Sequence, residues 1–232
     1  MKSIAETAKI GQNVIIGKNV IIKDNVTICN NVTIYDNVEI EEDVHIWDNA
    51  VIGRIPLGVS SIVSAVEIID GKTLIKSKSV IGCNTVIYVD TVIGEDSLLS
   101  ENVIIRERTV LEGKNIIGPN SFIQRDCKVG LGTRMNQQST LAYGTIVGRN
   151  NFISSGFACV SDNTFGVGGY SAEKVGPKIG DKNLIGPHVT VLNNLEIGNN
   201  NIIGAKALVT KTIDNNSVYF GIPARFIRNK DE

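Results

Sequence analysis

Two side chains in this sequence suit proton transfer, His188 and Glu101. Histidine side chains titrate close to neutral pH, so His188 is the first candidate for a general base. The Glu101 carboxylate ranks second. Both occupy ordinary positions of a repeating pattern, where a solvated surface residue is the simpler interpretation. A third alternative is that a leaving group takes the proton and no side chain acts as a base.

Three consecutive amides, Asn136, Gln137 and Gln138, interrupt an otherwise aliphatic pattern. Amides cannot act as bases, but they can orient a nucleophile or a carbonyl group through hydrogen bonds. Their alternative role is structural, as polar corner residues of the repeat. We predict that they contact a substrate.

A long glycine-rich segment, residues 164–178, breaks the pattern again. Long loops on a rigid scaffold usually carry function. Asp162 and Asn163 come directly before this segment, and Tyr170 lies within it. We predict that these three residues also bind the substrate.

The scaffold is indicated by asparagine, or once aspartate, at every sixth residue. The series is Asn13, Asn19, Asn25, Asn31, Asn37, Asp43 and Asn49. A small apolar residue follows each member, and an isoleucine comes two places later. Residues two apart share one side of a strand, and Asn tolerates the left-handed turn conformation. Each hexad therefore predicts one short strand and one corner, and three hexads close one coil of a β-helix.

The same period resumes at Ile81 and again at Ile179, in a different phase each time. The predicted fold is all-β, a left-handed parallel β-helix that could consist of two stacked segments. We expect an N-terminal helical segment (1–53), an insertion or hairpin connector (54–80), a main helix (81–213) carrying loop 164–178, and a C-terminal cap (214–232). The hairpin is suggested by Asp70-Gly71, with alternating residues after it.

Composition limits the classes of partner. The chain has 232 residues, is 42% hydrophobic and has a net charge of −1. This charge gives no reason to expect a nucleic acid partner. The absence of a long apolar stretch argues against a membrane span. The four cysteines form no CxxC motif, so we expect free thiols in a reducing cytoplasm.

Near its end the sequence resembles the hexapeptide-repeat acyltransferases. The resemblance rests on the run from Ile203 to Lys211 and on Gly221-Ile222-Pro223-Ala224-Arg225, which is similar to the closing Gly-Asn-Pro-Ala motif of that family. The loop opened by Ser161-Asp162-Asn163-Thr164 resembles the branch that acylates amino groups of nucleotide-linked sugars. The resemblance implies an acyl-CoA co-substrate, a homotrimer, no metal, and a nucleotide-linked amino sugar, expected to be dTDP-linked, as acceptor.

The resemblance also implies a binding site for acyl-CoA, and we expect it along one edge of the predicted helix. Small residues there would let a pantetheine arm approach backbone amides, and cations nearby would suit phosphates. The predicted cofactor-binding residues are Ser155, Gly156, Pro187, Ala205, Lys206, Lys211 and Arg225.

Three other functions compete with N-acyl transfer. An O-acetyltransferase acting on a sugar, a polysaccharide precursor or a xenobiotic would make His188 essential, because a hydroxyl must lose its proton in the transition state. A γ-class carbonic anhydrase uses a fold of this kind and needs three histidines at its metal. This chain has only two histidines, His45 and His188. A non-catalytic assembly subunit is disfavoured by the long loop and the closing motif.

Overall fold

The computed structural model describes residues 3–58, 71–164, 167 and 175–232. Within these residues the chain forms short β-strands joined by tight corners, and no α-helix is present. The predicted left-handed parallel β-helix is confirmed. No helix of the described residues could therefore cross a membrane.

The strands follow one another almost every six residues. They are β1 (Ser3–Ile4), β2 (Lys9–Ile10), β3 (Ile15–Ile16), β4 (Ile21–Ile22), β5 (Thr27–Ile28), β6 (Thr33–Ile34), β7 (Val38–Ile40), β8 (His45–Ile46), β9 (Val51–Arg54), β10 (Thr73–Ile75), β11 (Val80–Ile81), β12 (Val86–Tyr88), β13 (Val92–Ile93), β14 (Leu98–Leu99), β15 (Ile104–Ile105), β16 (Val110–Leu111), β17 (Ile116–Ile117), β18 (Phe122–Ile123), β19 (Lys128–Val129), β20 (Arg134–Met135), β21 (Thr140–Leu141), β22 (Ile146–Val147), β23 (Phe152–Ile153), β24 (Ala158–Cys159), β25 (Lys178–Ile179), β26 (Leu184–Ile185), β27 (Thr190–Val191), β28 (Glu196–Ile197), β29 (Ile202–Ile203), β30 (Leu208–Val209), β31 (Ser217–Phe220) and β32 (Arg225–Asn229).

Every third strand joins the same parallel sheet, which gives the coil three faces. Face A runs from β1 to β28, face B from β2 to β29 and then β31 and β32, and face C from β3 to β30. Successive coils are about 4.8 Å apart, the spacing of hydrogen-bonded strands. The second residue of nearly every strand points inward, and these residues form one continuous buried stack of Ile, Leu, Val, Met and Cys.

The corners explain the asparagine period. Asn13, Asn19 and Asn25 have φ angles of 56°, 54° and 58°, and a residue with positive φ recurs at almost every later corner. This left-handed conformation costs least for glycine, and next for Asn and Asp. The predicted role of the recurring Asn is therefore confirmed.

The two breaks in the period are insertions in one continuous solenoid. Strand β10 pairs in parallel with β7 and β13, so the second helical segment continues the first. The solenoid resumes at Thr73, and residues 73–80, which the sequence analysis assigned to the connector, lie within it. The hexad was hidden because Lys78 takes the corner conformation, with φ 60°, where Asn or Asp was expected. Strand β10 is therefore not the arm of a hairpin, and Asp70 lies outside the described residues.

The C-terminal residues cover the last coil. Strand β31 extends face B in parallel, and β32 pairs with it antiparallel. The Tyr219 and Phe226 rings meet edge to face, with their centroids 5.8 Å apart. The first strand of this hairpin pairs with the backbone edge that β29 would otherwise leave open.

Candidate functional site

Most of the predicted residues lie on one edge of the solenoid, between face B and face C, which we term the B–C edge. The backbone N–H of Gly156 donates to Gln137 O (3.0 Å), that of His188 to Ser155 O (2.8 Å), and that of Lys206 to Pro187 O (2.8 Å). Each of these bonds joins the corner of one coil to the corner of the next. The edge therefore stacks the following pairs: 83–84, 101–102, 119–120, 137–138, 155–156, 187–188 and 205–206.

His188 lies directly against Gly156 on this edge. A Cβ atom on Gly156 would be 2.3 Å from Nδ1 of His188, so only glycine leaves room for the imidazole ring. Gly156 also has a φ of +68°, a second reason for glycine at this corner. The His188 side chain itself is exposed to solvent. The ring is thus positioned from below while its outer side can reach a substrate.

Polar groups surround His188 along the edge. Gln137 and Gln138 lie two coils below it and are exposed, and Asn136 is half-buried beside them. Lower on the same edge, Asn30 and Asp48 accept hydrogen bonds from the corner amides of the coil beneath. No side chain of the described residues does this for the amides of Ser155 and Ala205.

Other small residues at the edge have a structural reason. A Cβ on Gly186 would be 2.7 Å from Ala205 N, and one on Gly204 would be 1.8 Å from the Phe220 ring. These glycines let adjacent coils and the C-terminal hairpin stack closely. Their presence is therefore no evidence of a ligand track.

Glu101 shares the edge with His188 but not its surroundings. Four coil steps separate the two residues, a distance of about 19 Å along the edge. The carboxylate is exposed at the corner after β14. The structure therefore does not bring the two candidate bases together, and they remain alternatives.

The predicted phosphate-binding cations fall into two places. Lys206 is exposed on the B–C edge, one coil above His188. Lys211 lies at the other end of face C, five residues and about 16 Å away along the strand direction. There it lines a groove of about 360 Å³ together with Arg225, Thr210 and Tyr219. Within one protomer, the three cations do not form a single cluster.

The groove beneath the hairpin is suited to phosphate oxygens. Two cations and the hydroxyl groups of Thr210 and Thr212 line it. Burial raises the pKa of the Tyr219 phenol, and the Asp214 carboxylate raises it further. Tyr219 therefore stays protonated at neutral pH and can donate a hydrogen bond.

The start of the long loop is held by its own side chains. Asp162 Oδ1 accepts hydrogen bonds from Thr164 N (2.7 Å) and Thr164 Oγ1 (2.6 Å). Asn163 Oδ1 accepts one from Asn193 N at 3.4 Å. These contacts place Asp162 and Asn163 at the far end of face C from His188, in the corner that joins face C to face A. Tyr170 lies outside the described residues.

The sequence analysis missed a row of arginines and tyrosines at that corner. The Arg106 guanidinium lies 4.6 Å from the centroid of the Tyr88 ring, and that of Arg125 lies 4.5 Å from the centroid of Tyr143. The signal was available, because each pair is separated by one coil of sequence. This row lies on a different edge from His188 and Gln137, so the column of candidate residues did not include it.

Two cysteines are buried, and burial disfavours their reactive thiolate form. Burial raises the pKa of the Cys127 thiol to about 12, and it also raises that of Cys159. Cys29 and Cys83 are half-buried, and all four thiols are free. Among the described residues, no three His, Cys, Asp or Glu side chains are grouped closely enough to hold a metal ion.

Comparisons with known proteins agree with this architecture. The family model of the bacterial transferase hexapeptide (six repeats) matches residues 7–41, 19–54 and 176–211. The chain carries the hexapeptide repeat of bacterial transferases. Together with the relatives described next, this match supports the hexapeptide-repeat acyltransferase family.

Serine acetyltransferase 2 of Arabidopsis thaliana is 35% identical over 89 residues, which are 38% of this chain and 28% of that protein. Galactoside O-acetyltransferase of Escherichia coli (strain K12) is 46% identical over 50 residues, which are 22% of this chain and 25% of that protein. A crystal structure of a serine acetyltransferase from Neisseria gonorrhoeae is 24% identical, with a TM-score of 0.43, and the match covers 48% of this chain and 41% of that one.

The chain thus spans about a quarter of the length of these two curated relatives. Their names refer to serine and to a galactoside, not to a nucleotide-linked amino sugar. The predicted position nearest the amino-sugar N-acyltransferase branch is therefore not supported, whereas the wider family is.

The separation of the cations gives a test of where a phosphate-bearing co-substrate binds. If acetyl-CoA is the co-substrate, as the family resemblance implies, we expect Lys211→Ala and Arg225→Ala to raise its KM about tenfold each while kcat changes little, because phosphate binding is equal in the ground and transition states. Steady-state kinetics with varied acetyl-CoA would measure this. A larger KM effect from Lys206→Ala would place the phosphates on the B–C edge instead.

Proposed function

We propose that this protein is an acyl-CoA-dependent acyltransferase that transfers an acetyl group to a hydroxyl of its acceptor. The observation that carries the proposal is the His188 ring, packed on Gly156 at an exposed corner and flanked along one edge by amides and a lysine. The galactoside O-acetyltransferase and serine acetyltransferase relatives support the acetyl group and the hydroxyl.

The residues of the edge divide the chemistry among them. His188 takes the hydroxyl proton as the acceptor oxygen attacks the thioester carbonyl carbon. Gln137 and Gln138, two coils below His188, are the side-chain donors of this edge that can orient the thioester carbonyl through hydrogen bonds. The C–S bond then breaks, and the proton held by His188 passes to the departing thiolate.

The acetyl donor fits the residues present. The groove that contains Lys211 and Arg225 can take the phosphates, and the acetyl end would lie at the B–C edge beside His188. Because the two regions lie about 16 Å apart across face C, we propose that neighbouring subunits of a homotrimer complete the site. Light scattering that showed a monomer at working concentration would contradict the trimer.

N-acyl transfer to a nucleotide-linked amino sugar is the second candidate. A neutral amine is already nucleophilic, so the reaction needs a base less than attack by a hydroxyl does. The loop after Asp162 and Asn163 is what favours this acceptor.

Acceptor-dependent release of free CoA thiol tests the proposal. Purified protein with acetyl-CoA would be supplied in parallel with a galactoside, serine, and a dTDP-linked amino sugar. Turnover with a hydroxyl acceptor supports O-acetyl transfer, and turnover with the amino sugar alone supports the second candidate. A protein whose melting temperature does not respond to CoA, and which releases thiol with none of the acceptors, is not an acyltransferase of this kind.

A further inference from the structure

The outer side of face A carries a groove with an apolar floor and a charged rim, which we term the face A groove. It is lined by Lys76, Val92, Val110, Leu111, Glu112, Leu131 and Arg149. Its volume of about 380 Å³ is within the range of small-molecule sites, about 300–1,000 Å³. Val92 and Val110 are paired on neighbouring strands and form the floor. Face A lies opposite the B–C edge, so a ligand in this groove does not touch His188.

The cation at the lower end of the groove, Lys76, has no partner. The other lysines on or beside face A form ion pairs: Lys23 with Glu39 and Glu41, Lys72 with Glu39, Lys128 with Glu112, and Lys178 with Glu196. The Lys76 side chain forms no hydrogen bond or ion pair with any residue that the structure describes, although the residue is half-buried. A partly desolvated ammonium without a partner gains from an anion that a ligand supplies.

The carboxylates around Lys76 are bound to other groups. Glu112 accepts hydrogen bonds from Lys128 Nζ at 3.0 Å and from Arg149 Nε at 3.3 Å, and from the backbone N–H of Leu131 at 3.3 Å. The hydrogen bond from Lys128 is the main cause of the lowered pKa of Glu112, so this carboxylate is ionised at neutral pH. One coil below Lys76, Glu41 accepts a hydrogen bond from the backbone N–H of Ser77 at 3.1 Å. The lining of the groove therefore holds two cations and one anion, with the uncompensated charge at Lys76.

The upper wall of the groove is a leucine at a corner that is otherwise polar. The same corner position, between face A and face B, holds only polar residues or glycine in the other coils: Glu6, Asp24, Glu42, Ser77, Glu95, Gly113, Arg149, Asp181, Asn199 and Asn215. Leu131 is 40% exposed. Its Cδ1 atom lies over Gly113, where an added Cβ would be 3.4 Å away. The leucine thus extends the apolar floor formed by Val92 and Val110.

We propose that the face A groove binds a small carboxylic acid with an apolar tail. Its carboxylate accepts a charge-assisted hydrogen bond from Lys76, and its tail lies along Val92 and Val110 against Leu131, where burial of apolar surface stabilises the complex. An uncharged ligand would leave Lys76 without a partner, and a cationic ligand would be repelled by it. The inference goes beyond the proposed function and does not depend on it, because the groove and His188 lie on opposite sides of the solenoid.

Calorimetric titration of the full chain with octanoate tests the proposal. The reference probes are 1-octanol, which has the tail without the charge, and acetate, which has the charge without the tail. We expect saturable binding of octanoate to the wild type with a Kd of about 1 mM or lower. Because the site uses both parts of the ligand, each reference probe is expected to bind at least about tenfold more weakly.

Two variants separate the contributions of charge and tail. Lys76→Gln removes the charge, and Leu131→Asn restores the polar character usual at this corner; each is expected to weaken octanoate binding about tenfold. The matched control is Lys182→Gln, the same change at an exposed corner lysine five coils above Lys76, about 24 Å away. This control is expected to bind octanoate as the wild type does. All three substitutions are at surface positions, so the melting temperatures should stay close to that of the wild type.

Three results would overturn the proposal: no saturable binding of octanoate to the wild type, equal affinity for 1-octanol, or wild-type affinity in Lys76→Gln. A labelling experiment on the wild type gives the answer even where a variant does not fold. Octanoate should protect the Lys76 amine, but not that of Lys182, from acetylation by acetic anhydride, as measured by peptide mass spectrometry. Equal labelling of Lys76 with and without octanoate would also overturn the proposal.

Discussion

His188→Asn is expected to lower kcat/KM for a hydroxyl acceptor by about 10²–10⁴-fold, the usual contribution of a general base. The substitution isolates the chemistry because asparagine accepts the left-handed corner conformation that His188 adopts, with φ 56°. It also removes the ring from Gly156 without adding bulk. The coil should therefore fold as before while losing the group that takes the proton.

His45→Asn is the matched control. His45 contacts the Trp47 ring, with centroids 4.5 Å apart, and lies far down the solenoid on the outer side of face B. We expect it to leave kcat/KM unchanged. If His188→Asn costs less than about tenfold with every hydroxyl acceptor, while Glu101→Gln costs more, the base is Glu101. If neither costs tenfold, the leaving thiolate takes the proton and an amine acceptor becomes the better candidate.

The repeat could be predicted from sequence because each hexad places one residue at a left-handed corner and one in the core. Residues such as Asn13 and Ile16 mark the corner and the core position, and the same pattern places 137, 155, 187 and 205 in one column. The bond from His188 N to Ser155 O shows that this column continues across the second insertion. An invariant period therefore predicts neighbours that are far apart in sequence.

The same period could not predict what departs from it. Lys78 takes a corner conformation that its residue type gives no reason to expect, which hid one hexad. The Asp162 carboxylate accepts hydrogen bonds from Thr164 N and Oγ1, and such a local turn depends on atomic geometry. Lys206 and Lys211 were predicted to bind the same phosphates because both are cations near the end of the chain. They lie at opposite ends of face C, because the four residues between them span its width.

Phe157→Ala is expected to lower the free energy of unfolding by about 3–5 kcal/mol. Phe157 is fully buried, at an inward position that elsewhere in the repeat holds mostly smaller residues such as Ser, Thr, Val, Asn and Ala. The residues below and above it in the same inward column are the smaller Ser139 and Val189. One ring thus fills space that its neighbours leave, and the alanine variant would leave a cavity that a stack of closed coils cannot collapse to fill.

Phe152→Ala provides the comparison, because it removes the same side chain from the outer side of face B, where Phe152 is 42% exposed. We expect a loss of about 1 kcal/mol or less at that position. Denaturant titrations of both variants, followed by circular dichroism, would measure the difference. Since Phe157 directly follows Gly156, the cavity should also loosen the corner that supports His188 and reduce kcat. Equal destabilisation by the two substitutions would show that the Phe157 ring does not hold this coil together.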